Sequence, residues 1–170
     1  MQTAIIDAPT AERDFSSRVT FARAHRGLSA RAAEGPGELP RSTVAGIEAR
    51  VPGRTLPQLQ TATRLALGLD TPLSYLFAPG EPVEAPVGGF CGARPVLARR
   101  VAREFGRRLS VARDRQGSSA HDVAFRAGLR DADELLKYEA GRAACRLPRL
   151  FALAEVLEVE RAWLGGEGPR

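Results

Sequence analysis

Apolar side chains recur at spacings of three and four residues along most of this chain, which is the spacing of one face of an α-helix. The clearest stripes are those of Val101, Phe105, Leu109 and Ala112 and of Leu150, Leu153, Ala154 and Leu157. β-Branched residues are scattered, and apolar and polar residues alternate over only a few positions, so strand signals are nearly absent. The pattern predicts an all-α protein.

Much of the pattern occurs twice. Residues of the first half match residues 90 or 91 positions later, in pairs that include Phe15 and Phe105, Arg23 and Arg113, Gly27 and Gly117, Ser29 and Ser119, and Glu48 and Glu139. A match kept over such a span predicts two copies of one supersecondary unit. Between the copies, residues 78–95 hold four prolines and four glycines without a helical period. That composition is typical of a linker.

These features predict a flexible arm at 1–11, a first domain at 12–77, the linker at 78–95, a second domain at 96–165 and a tail at 166–170. In the second domain, Ser119 is expected to cap a short second helix. The third helix of that domain is expected to turn three residues towards the core, namely Leu135, Leu136 and Tyr138. Trp163 is expected to help close the domain at its end.

Each copy has a helix, a Gly-[Leu/Ser]-Ser sequence, a short helix, a turn, a helix ending in apolar-Glu, a loop and a Leu-Ala helix. This order resembles the Cro and phage-repressor-type helix-turn-helix family, also called the XRE family. The first copy supplies Gly27-Leu28-Ser29, Leu39, Val44 and Ile47-Glu48 at the family spacing. The second supplies Gly117, Ser119, Val123-Ala124, Ala127-Gly128-Leu129, Leu135 and Tyr138-Glu139. The resemblance implies two tandem lambda-repressor-like helix-turn-helix bundles.

In this family the third helix lies in the DNA major groove, and the start of the second helix meets a phosphate. In the first copy, Glu34 and the following Gly35-Pro36-Gly37 predict that the second helix ends by Glu34, because proline disrupts a helix interior. Pro40 is expected in the first turn of the recognition helix, and Arg41 is placed to pair with guanine. The expected DNA-contacting residues are Ser29, Arg31, Pro40, Arg41, Ser42, Thr43, Arg50 and Arg54.

The second copy has a different surface, because Asp131, Asp133 and Glu134 occupy the start of its recognition helix. Acids facing phosphates lose attraction to DNA, although a carboxylate can accept a hydrogen bond from cytosine. Either this copy is a degenerate unit that supports dimerisation or binds another protein, or it reads bases after all. Three phenylalanines, Phe77, Phe90 and Phe151, are candidates for a dimer surface.

A dense basic run, Arg99, Arg100, Arg103, Arg107 and Arg108, lies on the first helix of the second copy. Helical spacing puts Arg100, Arg103 and Arg107 on one face, where they form a possible phosphate clamp. The alternative is a solvated helix exterior paired with Glu104.

The formal net charge is +5 and comes almost wholly from arginine, since Lys137 is the only lysine. This charge fits nucleic acid, but it also fits a plain solvated surface. No apolar run is long enough for a membrane helix and no secretory leader is evident, so we expect a cytoplasmic, nucleoid-associated protein without membrane contact. Cys91 and Cys145 are expected to be free thiols. No pair of titratable groups has catalytic spacing, so neither an enzyme, a cofactor nor a metal site is expected.

The leading hypothesis is a sequence-specific transcriptional regulator, expected to be a repressor, that binds a double-stranded DNA operator through its first domain. It would act as a homodimer, with the second domain serving dimerisation or a protein partner. The alternative is a protein-interaction module, such as an antitoxin or adaptor, acting through the acidic second domain.

Overall fold

The computed structural model describes residues 8–49, 56–82, 84–86 and 98–167. Within these ranges the chain is helical and has no strand, which confirms the all-α prediction; a single isolated bridge pairs Gln58 with Arg146. The helices are α1 (Ala8–His25), α2 (Ala30–Glu34), α3 (Thr43–Glu48), α4 (Leu59–Gly68), α5 (Leu73–Phe77), α6 (Ala98–Gln116), α7 (Ala120–Arg126), α8 (Ala132–Glu139), α9 (Leu147–Val156) and α10 (Arg161–Leu164).

The described residues divide into two compact units. Unit 1 comprises residues 8–49, 56, 64–82 and 84–86, and unit 2 comprises residues 57–63 and 98–167. In unit 1, α1 packs against α3 and α5, and α2 packs against α3. In unit 2, α8 packs against α6 and α7, and α10 packs against α9 and α6. Residues 57–63 fall in the first domain by sequence but cluster with unit 2 in the structure.

The long first helix of each unit supplies a buried apolar stripe, as its spacing predicts. In unit 1 the stripe is Phe15, Val19 and Ala22, and in unit 2 it is Phe105, Leu109 and Ala112. The two stripes occupy matching positions of the repeat, so both units are built on the same first-helix pattern.

The prediction for Leu136 is wrong, because this side chain is 48% exposed. Leu135 and Tyr138 are buried as expected. Residues three apart share a helix face, whereas Leu136 lies about 100° further around α8 than Leu135. Phe77 and Phe151 are buried rather than exposed, so neither forms a dimer surface, and Phe90 lies outside the described residues.

The N-terminal arm is shorter than predicted, since α1 already begins at Ala8. Ala11 is buried, and this apolar contact explains why the helix extends into the predicted arm. Residues 1–7 lie outside the described ranges.

The start of the predicted linker is attached to α1. The Arg18 guanidinium donates to the carbonyls of Ala78 at 3.0 Å, Pro79 at 3.0 Å and Gly80 at 3.1 Å. Asp14 Oδ2 accepts from the Gly80 N–H at 2.8 Å. Residues 78–82 are non-helical, as their composition predicts, but their polar backbone is satisfied by α1 side chains. This stretch is therefore part of unit 1.

Unit 2 uses the matching arginine in the same way. Arg108 lies 90 positions after Arg18, is only 2% exposed, and donates to the carbonyls of Trp163 and Glu167, each at 2.6 Å. Its guanidinium also lies 5.2 Å from the centre of the Trp163 ring. Arg108 therefore belongs to the interior and not to a basic surface, and Trp163 closes unit 2 partly through this contact.

Candidate nucleic-acid interface

The second helix of unit 1 is short and begins with a side-chain cap. Ser29 Oγ accepts from the N–H of Ala32 at 3.1 Å, and α2 ends at Glu34 as the sequence predicts. The chain then turns through Gly35–Glu38, and the N–H of Leu39 donates to the Glu34 carbonyl at 3.0 Å. Ser29 and Arg31 are both exposed on this helix.

The third helix begins later than the sequence predicts. Its first residue is Thr43, so Pro40 precedes the helix and does not occupy its first turn. Instead, the Pro40 carbonyl accepts from the Thr43 N–H at 3.2 Å and from the Thr43 hydroxyl at 2.7 Å. The physical reason is Ser42, whose left-handed backbone (φ 64°, ψ 8°) interrupts the helical path. Pro40, Arg41 and Ser42 therefore form a connecting turn in front of α3.

Ser42, the residue immediately before α3, does not cap the helix with its side chain. Ser42 Oγ donates to the Arg41 carbonyl at 2.6 Å, and no N–H of α3 binds the Ser42 side chain among the described residues. Glu34 takes this role. Its side chain is 6% exposed, and Oε1 accepts from the Val44 N–H at 3.0 Å. A carboxylate at a helix N-terminus is electrostatically favourable, so α2 holds the start of α3 through a buried charge.

The other end of α3 is tied to α1. Arg23 donates to Glu48 through Nε–Oε1 at 2.6 Å and Nη2–Oε2 at 3.1 Å, and the Glu48 carboxylate raises the pKa of Arg23. Arg23 also donates to the Leu28 carbonyl at 2.7 Å, and Ser16 Oγ donates to the Ile47 carbonyl at 2.8 Å. Glu48 therefore has a structural role, because it joins the end of α3 to α1.

Two of the predicted DNA-contacting cations are available to a ligand. Arg31 and Arg41 are exposed, and neither guanidinium makes a hydrogen bond, ion pair or ring contact within the ranges that the structure describes. Thr43 is half-buried and held by Pro40, whereas Ser29, Pro40 and Ser42 are exposed. The structure brings Ser29 and Arg31 onto α2 and the other four residues to the start of α3. Arg50 and Arg54 lie outside the described residues.

The corresponding helix of unit 2 begins with a cap made by its acids. Asp131 Oδ1 accepts from the Glu134 N–H at 2.8 Å, and Glu134 Oε2 accepts from the Arg130 N–H at 3.0 Å. Glu134 Oε1 also accepts from the Tyr138 hydroxyl at 2.9 Å. The Glu134 N–H, followed by the Arg130 guanidinium, lowers the pKa of Asp131. Two of the three acids therefore stabilise the start of α8.

The remaining charges at this surface are balanced locally. Arg130 Nε lies 2.9 Å from Asp131 Oδ2, and Lys137 Nζ lies 2.5 Å from Asp133 Oδ2. The exposed acids of α8 are thus ion-paired to neighbouring cations instead of facing solvent alone. Sequence spacing contains the signal for the second pair, since Asp133 and Lys137 are four residues apart on one helix.

Two of the three arginines in the possible phosphate clamp of α6 are unpaired among the described residues, and the third forms an ion pair. Arg100 and Arg103 are exposed, and neither guanidinium has a partner among the described residues. Arg107 pairs with Glu104 at 2.9 Å, as the alternative of a paired helix exterior predicts. Hydrogen bonds from Arg107 and then from Arg108 lower the pKa of Glu104 to about 2.

The remaining candidates for chemistry are the described cysteine and clusters of metal-ligating side chains. Cys145 is a buried free thiol, and burial raises its pKa. No group of three or more His, Cys, Asp or Glu in the described ranges is placed to hold a metal ion. Nor is any of the described helices long and apolar enough to cross a membrane. Comparison of the chain with protein-family models, curated proteins and solved structures finds no significant match.

Proposed function

We propose that this protein is a sequence-specific double-stranded DNA-binding transcriptional regulator, acting as a repressor. In this proposal the chain is a tandem of two lambda-repressor-like helix-turn-helix bundles. Unit 1 places α3 in the major groove of an operator. Unit 2 serves dimerisation or partner binding.

The observation that carries the proposal is that the Arg41 guanidinium is not engaged in an ion pair or hydrogen bond with any described residue. This guanidinium is exposed in the turn immediately before α3 and has no partner among the described residues. Arginine presents donors in a fork that matches the two acceptors of guanine in the major groove. An unpaired arginine at the entry to a recognition helix therefore suits base contact, since it need not break an existing ion pair to bind.

The packing around Arg41 supports the same proposal. Glu34 fixes one end of α3 and Arg23 fixes the other, so the helix is held against α1 and α2 at both ends. Ser29 caps α2 and leaves its exposed N-terminus for a phosphate. Arg31, exposed on the same helix, adds a second cation for the DNA backbone.

Unit 2 has no unpaired arginine directly in front of its recognition helix among the described residues. The position in front of its recognition helix is occupied by Asp131, which caps α8 and pairs with Arg130. Reading a base here would require breaking that ion pair. A role in protein contact is therefore favoured for unit 2, and this is also the observation behind the alternative of an antitoxin or adaptor.

The proposal is tested by binding selection followed by a salt titration. The full chain is incubated with a random duplex pool, and enriched sequences are then compared with random duplex by fluorescence anisotropy at two salt concentrations. We expect one enriched motif and an affinity that falls as salt rises, because binding releases counterions from phosphates. No enrichment, together with no binding at low salt, would refute the proposal.

A further inference from the structure

Two large apolar side chains are exposed in the described residues, and both belong to the helix-turn-helix part of unit 2. Phe125 on α7 is 80% exposed, and Leu136 on α8 is 48% exposed. The helices that carry them pack against each other. The residues directly before them, Ala124 and Leu135, are buried in the core.

The repeat shows that the fold does not require these side chains. Phe125 aligns with Gly35 at an offset of 90, and Leu136 aligns with Ala45 at an offset of 91. Gly35 and Ala45 are exposed as well, so the same surface positions in unit 1 have almost no apolar area. The exposed Phe and Leu are therefore a property of unit 2 alone, and large apolar groups held in water are typical of interaction surfaces.

The charges around the two side chains follow one arrangement. Phe125 has Asp122 three residues before it and Arg126 directly after it, and all three are exposed. Leu136 has Asp133 three residues before it and Lys137 directly after it, also exposed. Both helices thus carry an acid, an apolar residue and a base in the same order. Each of these two helix surfaces has no net charge and offers both signs beside its apolar residue.

The charges of this arrangement are complementary to those of a second copy. When two copies of either helix surface meet about a twofold axis perpendicular to the helix, the two helices run antiparallel and the acid of one copy lies opposite the base of the other. The apolar residues then meet between the charges. A strongly basic or strongly acidic partner would gain little from a face whose charges already balance.

We propose that the face of α7 and α8 carrying Phe125 and Leu136 binds the same face of a second copy of this chain. In the dimer, Asp133 and Lys137 exchange their intrahelical pair for pairs across the interface. This assignment rests on the proposed function in giving unit 2 its role in dimerisation. It also implies that unit 2 does not use this face for DNA.

Dimerisation is tested on the full chain without DNA, by sedimentation velocity across a dilution series. The wild-type chain is expected to dimerise, and Phe125→Ser is expected to raise the dissociation constant at least about tenfold. Because Phe125 is exposed, the variant should fold, which Trp163 fluorescence and circular dichroism verify. Arg115→Ala, an exposed change elsewhere in unit 2, is the matched control and should dimerise like the wild-type chain.

A charge exchange identifies the surface directly. Asp133→Lys leaves only cations beside Leu136, and Lys137→Asp leaves only acids, so each variant alone should be monomeric. Mixed together, the two variants should form a heterodimer, since opposite charges then face each other. A monomeric wild-type chain, a Phe125→Ser dimer of unchanged affinity, or a mixture that stays monomeric would overturn the assignment. Because no DNA is present, these experiments test dimerisation independently of whether the chain binds an operator.

Discussion

The carboxylate of Glu34 accepts a hydrogen bond at 3.0 Å from the backbone N–H of Val44, ten residues further along the chain. Through this contact the end of α2 fixes the beginning of α3. Ser42, the residue next to the helix, does not cap it and occupies the left-handed region instead. The position of the proposed recognition helix therefore depends on a buried charge in the preceding helix.

Removal of this cap should destabilise unit 1. Glu34→Ala leaves the Val44 N–H without its acceptor, and we expect a loss of about 1.5–3 kcal/mol in the free energy of unfolding. Glu34→Gln keeps an oxygen that can accept the bond, so its loss should be smaller. Urea unfolding followed by circular dichroism measures both. Ser42→Gly is the control, because glycine adopts the left-handed region readily; an equal loss in this variant would contradict the capping role of Glu34.

Arg41→Ala should weaken operator binding without affecting the fold. Loss of a bidentate contact to guanine is expected to cost about 1–3 kcal/mol of binding free energy and to relax preference at one base pair. Since the Arg41 side chain is exposed and unpaired among the described residues, the free energy of unfolding of the variant should stay within about 0.5 kcal/mol of the wild-type value. Anisotropy with the selected operator and its single-base variants measures the change, and an unchanged preference at every position would refute the contact.

The ion pair between Arg23 and Glu48 should contribute to stability as a unit. Both side chains are partly buried, so Arg23→Met should leave the Glu48 carboxylate without its partner and cost about 1–3 kcal/mol. A double-mutant cycle with Glu48→Gln isolates the coupling between them. If the two losses are simply additive, the pair does not hold α3 to α1 in the manner described.

Gly106→Ala should destabilise unit 2, because α6 and α8 approach each other closely at this glycine. A Cβ on Gly106 would overlap the backbone carbonyl oxygens of both Tyr138 and Glu139. We expect a loss of at least about 2 kcal/mol, as for overpacked cores, measured by urea unfolding with Trp163 fluorescence. Unit 1 has Ser16 at the matching position, where Oγ donates to the Ile47 carbonyl. Ser16→Ala removes only that bond and should cost about 1 kcal/mol.

Unit 2 should lose stability in acid partly through Glu104. Hydrogen bonds from Arg107 and Arg108 lower its pKa from 4.5 to about 2, so the folded state binds this proton more weakly than the unfolded state. The contribution is therefore complete above about pH 4.5 and is lost as the pH falls towards 2. Urea midpoints of Trp163 fluorescence across that window measure it. Glu104→Gln should flatten the decline, and parallel curves for variant and wild type would disprove the assignment.

Several local features follow directly from the sequence. The stripe containing Phe105 and Leu109 predicts a buried helix face, since residues three and four apart lie together on a helix. Ser119 caps α7 as expected, with Oγ accepting from the Asp122 N–H at 3.1 Å. The end of α2 at Glu34 follows from the glycine and proline after it. Each of these depends on neighbours in the chain, which sequence spacing records.

Contacts between residues that are distant in sequence could not be predicted in this way. Arg18 and Arg108 resemble surface cations in sequence, yet both are buried against carbonyls about 55 to 60 residues away. Likewise, Glu34 appears in sequence only as the predicted end of α2, and its approach to Val44 in the structure shows it as a cap of α3.

The sequence by itself determined the helical class, the repeat and the residues of the two first-helix stripes, because periodic apolar spacing and local caps depend on nearby residues. Tertiary structure decided which charges are free. The Arg41 guanidinium is unpaired among the described residues, whereas those of Arg18 and Arg108 bind carbonyls distant in sequence, and the difference depends on which groups folding brings within hydrogen-bonding distance.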